Sequence, residues 1–107
     1  MDQAKHSQLR KGLLEFLILV IVSTGDVYVA DILERLAGTD FATREGTLYP
    51  LLSTMRREGL LDYAWRESTA GPPRKYYRLT AGGRTQLADF RRYWASLTTL
   101  IDDLGKA

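Results

Sequence analysis

Apolar and polar positions alternate along the chain with two different periods, and the change between them divides it. From Leu9 to Thr24 the run LRKGLLEFLILVIVST is too long for an ordinary strand, and Gly25-Asp26 follow as a stop. It predicts a first helix. That helix is apolar almost all round, so it needs cover on more than one side. The β-branched stretch Phe16–Val22 keeps a strand open as the other reading. Next, VYVADILERLAG brings Val29, Ile32, Leu33 and Leu36 to one face, with Gly38 as a C-terminal stop. A third helix is expected from Thr43, as N-cap, to about Glu58, closed by Gly59. Its core face is Leu48, Leu51, Leu52 and Met55.

After Gly59 the period becomes twofold. Leu61, Tyr63 and Trp65 alternate with Asp62, Ala64 and Arg66, and Tyr77 and Leu79 alternate with Tyr76 and Arg78. The turn-forming STAGPPR between them predicts a β-hairpin with a longer loop. Thr80 then caps a last helix from Ala81 to about Leu104. The fold class expected is mainly α with a β-hairpin: a winged helix-turn-helix over residues 1–80, followed by a C-terminal dimerisation helix over 81–107. Residues 1–8 are expected to be loosely attached.

Pro50 falls inside the third helix, where it removes one N–H and crowds the carbonyl of Gly46. It comes early, where that carbonyl can reach water. A bend there would aim Arg44, Thr47 and Tyr49 outward. The bland alternative is that Pro50 sets helix shape and Tyr49 packs on the hairpin.

The last helix carries Leu87, Phe90, Trp94, Leu97, Ile101 and Leu104 at spacings of 3, 4, 3, 4 and 3. That is a seam of about two and a half heptads, short of what specifies a coiled coil alone. The stripe must pack on its own domain, on a second copy, or on both. Trp94 mid-seam reads first as a core tryptophan. A twofold dimer interlocking the first and last helices covers both stripes, and palindromic DNA with half-sites about one helical turn apart follows from that symmetry.

Composition narrows the function. With 107 residues, 45% hydrophobic and 26% charged, the chain fits one globular domain. No cysteine is present, which excludes disulfides and thiolate metal sites and suits a cytoplasmic location. The polar start MDQAKHSQLRK shows no secretory signal, and the apolar run Phe16–Val22 is far short of the ~20 residues that span a bilayer, so no membrane partner is expected. His6 is the single histidine, and no nucleophile, base and orienter fall together, so neither an enzyme, a cofactor nor a metal site is expected. Net charge is only +2, but it is unevenly spread. Between Arg44 and Leu79, Arg44, Arg56, Arg57, Arg66, Arg74, Lys75 and Arg78 outnumber Glu45, Glu58, Asp62 and Glu67, and Lys5, Arg10 and Lys11 form a second cluster. Basic residues on a winged helix fit DNA phosphates; a solvated basic face is the competing reading.

GTLYPLL (46–52), EGLL (58–61) and RKYYRLTAGGR (74–84) together resemble the PadR-like transcriptional regulators, over roughly Leu9 to Leu104. The single short C-terminal helix resembles the smaller subfamily, and within it the LmrR-type multidrug-sensing branch. The resemblance implies a homodimeric regulator, usually a repressor, that releases DNA when a ligand binds. It implies DNA contacts at Thr47, Tyr49, Arg74 and Lys75, and Arg44, a basic residue suited to phosphate, is expected to join them. It also implies a flat pore between subunits, where Trp94 of each chain faces its twin and planar aromatic compounds stack. Leu9, Gly12, Glu15 and Phe16 would line that pore, with Glu15 favouring cations. Two departures stand out. Val29-Ala30 replaces a common Gly-Tyr pair, and the wing tip Gly71-Pro72-Pro73 carries only Arg74 and Lys75 behind it. A winged-helix module that binds another protein and no DNA is the rival reading.

Overall fold

The computed structural model describes residues 3–106, with side chains from Ser7 onward. The element order is α1 (Gln3–Val22), α2 (Val29–Leu36), α3 (Glu45–Arg57), β1 (Leu61–Ser68), β2 (Gly71–Leu79) and α4 (Ala81–Leu104). This is the winged helix-turn-helix arrangement with one further helix. No described helix is long and apolar enough to cross a membrane.

The first helix begins at Gln3, six residues before the expected start at Leu9. Residues 3–8 contain neither Gly nor Pro, and extending an existing helix is far easier than nucleating one. The helix ends at Val22 because Ser23 and Thr24 turn their hydroxyls back onto the carbonyls of Val20 and Ile21, at 2.6 and 2.7 Å. The metal question raised for His6 falls outside the described side chains.

Val27 does not belong to the second helix. It forms an antiparallel bridge with Tyr77, donating to the Tyr77 carbonyl at 3.0 Å and accepting from its N–H. That bridge pairs the Tyr77 backbone on the outer edge of β2. The backbone N–H of Tyr28 then donates to the Asp31 carboxylate at 3.2 Å, and α2 starts one residue later.

Arg44, not Thr43, is the N-cap of α3. Its backbone is extended and its carbonyl accepts from Thr47 and Leu48, both at 3.0 Å, but its side chain has no oxygen to cap with. α3 runs unbroken through Pro50, and Gly46, whose carbonyl that proline leaves unpaired, is exposed.

The hairpin is tighter than STAGPPR suggests. Both strands run almost to the tip, leaving Thr69-Ala70 as the turn. Arg66 pairs with Arg74 and Ser68 with Gly71, so Pro72 and Pro73 together stand opposite Glu67. This is a bulge, where residues without an N–H do no damage to the ladder.

One core joins these pieces. Ile18 and Leu19 of α1, Ile32 of α2, Leu48, Leu52 and Met55 of α3, and Leu61 of β1 are fully enclosed. Thr80 fastens α4 to it: its hydroxyl donates to the Gly59 carbonyl at 2.5 Å and accepts from the Gly83 N–H at 2.9 Å. Gly83 and Leu87 are buried, so Leu87, placed in the seam by its spacing, is occupied within its own chain. From Arg91 onward α4 is mostly exposed, with Leu97 partly covered. Trp94 is 43%, Ile101 61% and Leu104 76% exposed.

Candidate nucleic-acid interface

Along α3 the core stripe occupies one side, and Gly46, Pro50, Ser53 and Arg57 form the exposed crest. Tyr49 and Thr47 sit two positions apart, so they project roughly 200° apart around the helix, one on each flank of that crest. The structure places them accordingly. Tyr49 opens into a groove of about 370 Å³ between α3, the start of α2 and the hairpin, which Arg74 and Lys75 also line. Thr47 lies in a separate hollow of about 380 Å³ with Arg10, Lys11 and Thr43. Arg44 is exposed but lines neither. The five residues singled out for DNA contact therefore fall in two groups on either side of one helix.

The hairpin cations are held by aromatic rings. The Lys75 ammonium lies 4.4 Å from the Tyr63 ring centre and 5.4 Å from that of Trp65. The Arg74 guanidinium lies 4.8 Å above Tyr28. A ring face attracts a cation through its quadrupole and takes no hydrogen bond from it conventionally, so the N–H donors stay available to an anion. Arg66 is spent differently, over Tyr76 at 4.6 Å and in an ion pair with Asp26.

Trp65 shares the alternation of Leu61 and Tyr63 but not their burial. It is 62% exposed, because β1 has left the core by that residue and α3 offers no cover there. Tyr28 and Glu45 line the groove without having been singled out. Tyr28 precedes α2 and belongs to no apolar period, and its place depends on the Val27–Tyr77 bridge, which leaves no mark in local sequence.

A second surface lies on α1 and α4. The rings of Phe16 and Phe90 are stacked, and Phe90 leads on to Trp94 at 5.9 Å. Beside them Leu13, Leu17, Phe41, Phe90 and Trp94 enclose an apolar hollow of about 290 Å³. Leu9, Gly12 and Glu15 do not line it. Glu15 is two positions from both Leu13 and Leu17 and so points to the opposite side of α1. There it is half-buried, and desolvation first, then the nearby Glu58 carboxylate, pushes its pKa above the ordinary value. Within one chain, only Phe16 among the α1 residues proposed to face the ligand reaches the aromatic cluster that holds Trp94.

Residues 18–89 match the family model of the PadR-like transcriptional regulators. The chain belongs to the PadR-like family. A PadR-like transcription factor from Bacteroides fragilis is similar in structure, with a TM-score of 0.82 at 40% identity, covering 97% of this chain and 100% of that one. A PadR-like transcriptional regulator from Bacillus cereus has a TM-score of 0.81 at 37% identity, covering 94% and 98%. An uncharacterised protein of Lysinibacillus sphaericus is 26% identical over 100 residues, which span 91% of this chain and 92% of that one. This PadR-like protein is thus a transcription regulator of a DNA-binding family, and its relatives of known role are regulators rather than enzymes.

Proposed function

We propose that this PadR-like protein is a cytoplasmic homodimeric repressor of palindromic double-stranded DNA. The observation that carries the reading is the convergence of Tyr49, Arg74 and Lys75 on one groove between α3 and the hairpin. A helix crest with a cationic wing beside it fits a major groove and its phosphate edge. Arg44 and Thr47 extend the contact along α3.

The exposed half of α4 supports the dimer. Trp94, Leu100, Ile101 and Leu104 form an apolar stretch too long for a lone helix in water. The seam begins at Phe90, since Leu87 is already buried, and continues through Trp94, Leu97, Ile101 and Leu104. A twofold partner crossing α1 and α4 covers it.

The effector reading follows the LmrR-type branch. Trp94, next to the Phe16–Phe90 stack, offers a ring face for a planar aromatic compound. In a dimer the exposed Leu9 and Gly12 extend the wall beside Phe16, while Glu15, on the far side of α1 from the hollow, stands outside it.

The test is fluorescence anisotropy with a labelled duplex from upstream of the protein's own gene and a scrambled duplex, over a range of salt. Preference for the native duplex with steep loss of affinity in salt supports the repressor. Weak, equal binding to both, insensitive to salt, favours a protein-interaction module.

A further inference from the structure

The basic cluster at the start of the chain has no role in the groove beside the wing. Arg10 and Lys11 instead line the hollow on the other flank of α3, with Ser7, Thr43 and Thr47. The one acid there is Asp40, and Arg10 pairs with it. The Arg10 guanidinium donates to the Asp40 carboxylate at 3.2 Å and to its carbonyl at 3.3 Å, and a further N–H reaches the Ser7 hydroxyl at 3.3 Å. Lys11 is exposed and makes no ion pair among the described residues.

The hydroxyls carry a second observation. Thr54, Thr85, Thr98 and Thr99, inside helices, all donate to the carbonyl four residues back. Thr24 and Thr39 bond the carbonyl three back. Thr47, also helical, makes no such bond, nor does Thr43, among the described residues. Among the described residues, two hydroxyls and an ammonium without a bonded partner and an ion-paired carboxylate thus share one hollow beside the crest of α3.

We infer that this hollow is a second phosphate seat, through which Lys11 and Thr47 hold the DNA strand opposite the one held by Tyr49, Arg74 and Lys75. The inference rests on the DNA-binding reading above. A helix lying in the major groove has a phosphate rail along each side. The wing serves only one of them. Lys11 neutralises a phosphate on the other, Thr47 donates a hydrogen bond to it, and Arg10 acts as a positioning residue that keeps Asp40 from repelling it.

The experiment compares salt dependence of duplex binding for the wild type, Lys11→Ala, Lys11→Arg and Thr47→Val. Removing one neutralised phosphate lowers the slope of log affinity against log salt by about 0.9. Lys11→Ala is expected to show that loss and a several-fold weaker affinity on native and scrambled duplexes alike. Lys11→Arg is expected to keep the slope. Thr47→Val, which removes no charge, is expected to weaken binding with the slope intact. If the wild type binds duplex with a steep slope and Lys11→Ala keeps it, the second seat is wrong and the repressor reading stands. If the wild type shows no salt-dependent duplex binding, both fall. If inorganic phosphate binds the wild type but not Lys11→Ala, while duplex affinity and salt slope are the same for the two proteins, the hollow is a free-anion site, and the assignment to DNA is overturned.

Discussion

The rings of Phe16 and Phe90 lie face to face, with centroids 3.8 Å apart and planes 11° from parallel. The stack joins α1 to α4 one turn before Trp94, whose ring centre lies 5.9 Å from that of Phe90. Phe90→Ala is expected to destabilise the fold by about 2 kcal/mol, below the range for a fully enclosed ring because Phe90 is half-buried. Urea unfolding followed by circular dichroism measures it.

Gly83 is the most tightly enclosed glycine among the described residues. A Cβ there would stand 2.1 Å from the Leu60 carbonyl oxygen, a backbone atom that cannot swing aside. Gly83→Ala is expected to cost roughly 3 kcal/mol as α4 is pushed off the hairpin. The Gly82→Ala variant, 3.1 Å from the Gly59 carbonyl, is expected to cost less. A melting-temperature comparison of the two gives the order.

Tyr49→Phe and Lys75→Ala separate two kinds of DNA contact. The first removes a neutral hydroxyl and is expected to weaken binding by about 1 kcal/mol with an unchanged salt slope. The second removes a charge and is expected to lower the slope by about one. Both variants are expected to keep the wild-type oligomeric state by sedimentation, because neither residue lies on α4.

Trp94→Ala is expected to abolish binding of a planar cationic dye before it affects DNA binding. Trp65 also fluoresces, so Trp65→Phe is the background in which quenching of Trp94 is read. Undiminished dye affinity in Trp94→Ala would remove the tryptophan from the effector site.

Glu15 makes stability depend on pH. Its carboxyl is harder to ionise folded than unfolded, through desolvation and the Glu58 charge. Between the unfolded pKa and the raised folded one, the native state holds more protons, so stability falls as pH rises through that window. Glu15→Gln is expected to flatten this slope and to be more stable than the wild type at neutral pH. Equal pH profiles for the two proteins would show that Glu15 is solvated.

Most of the architecture was legible locally. The helical period of Leu48, Leu52 and Met55 and the alternation of Leu61, Tyr63 and Trp65 both reflect which face meets the core, and each can be read within a few residues. Boundaries were less legible. Thr43 is the better cap by residue type, yet α3 starts after Arg44, whose extended backbone marks the boundary without a side-chain capping bond. Val27 looked helical because its partner, Tyr77, lies far along the chain.

The candidate site divides the same way. The residue types that suit phosphate, and their presence on α3 and the wing, were in the sequence. Their grouping was not. Tyr49 and Thr47 are near neighbours in the chain, yet they belong to different surfaces, because a helix turns about 100° at each residue. Lys11 comes to Thr47, and Lys75 to Tyr49, only when α1 and the hairpin close on opposite flanks of α3. The sequence by itself determined the elements, since periodicity and turn chemistry act over a few residues. Tertiary structure alone decided which charges share a surface, which carboxylate is paired and which rings stack, because those contacts join residues that only burial of a common core brings together.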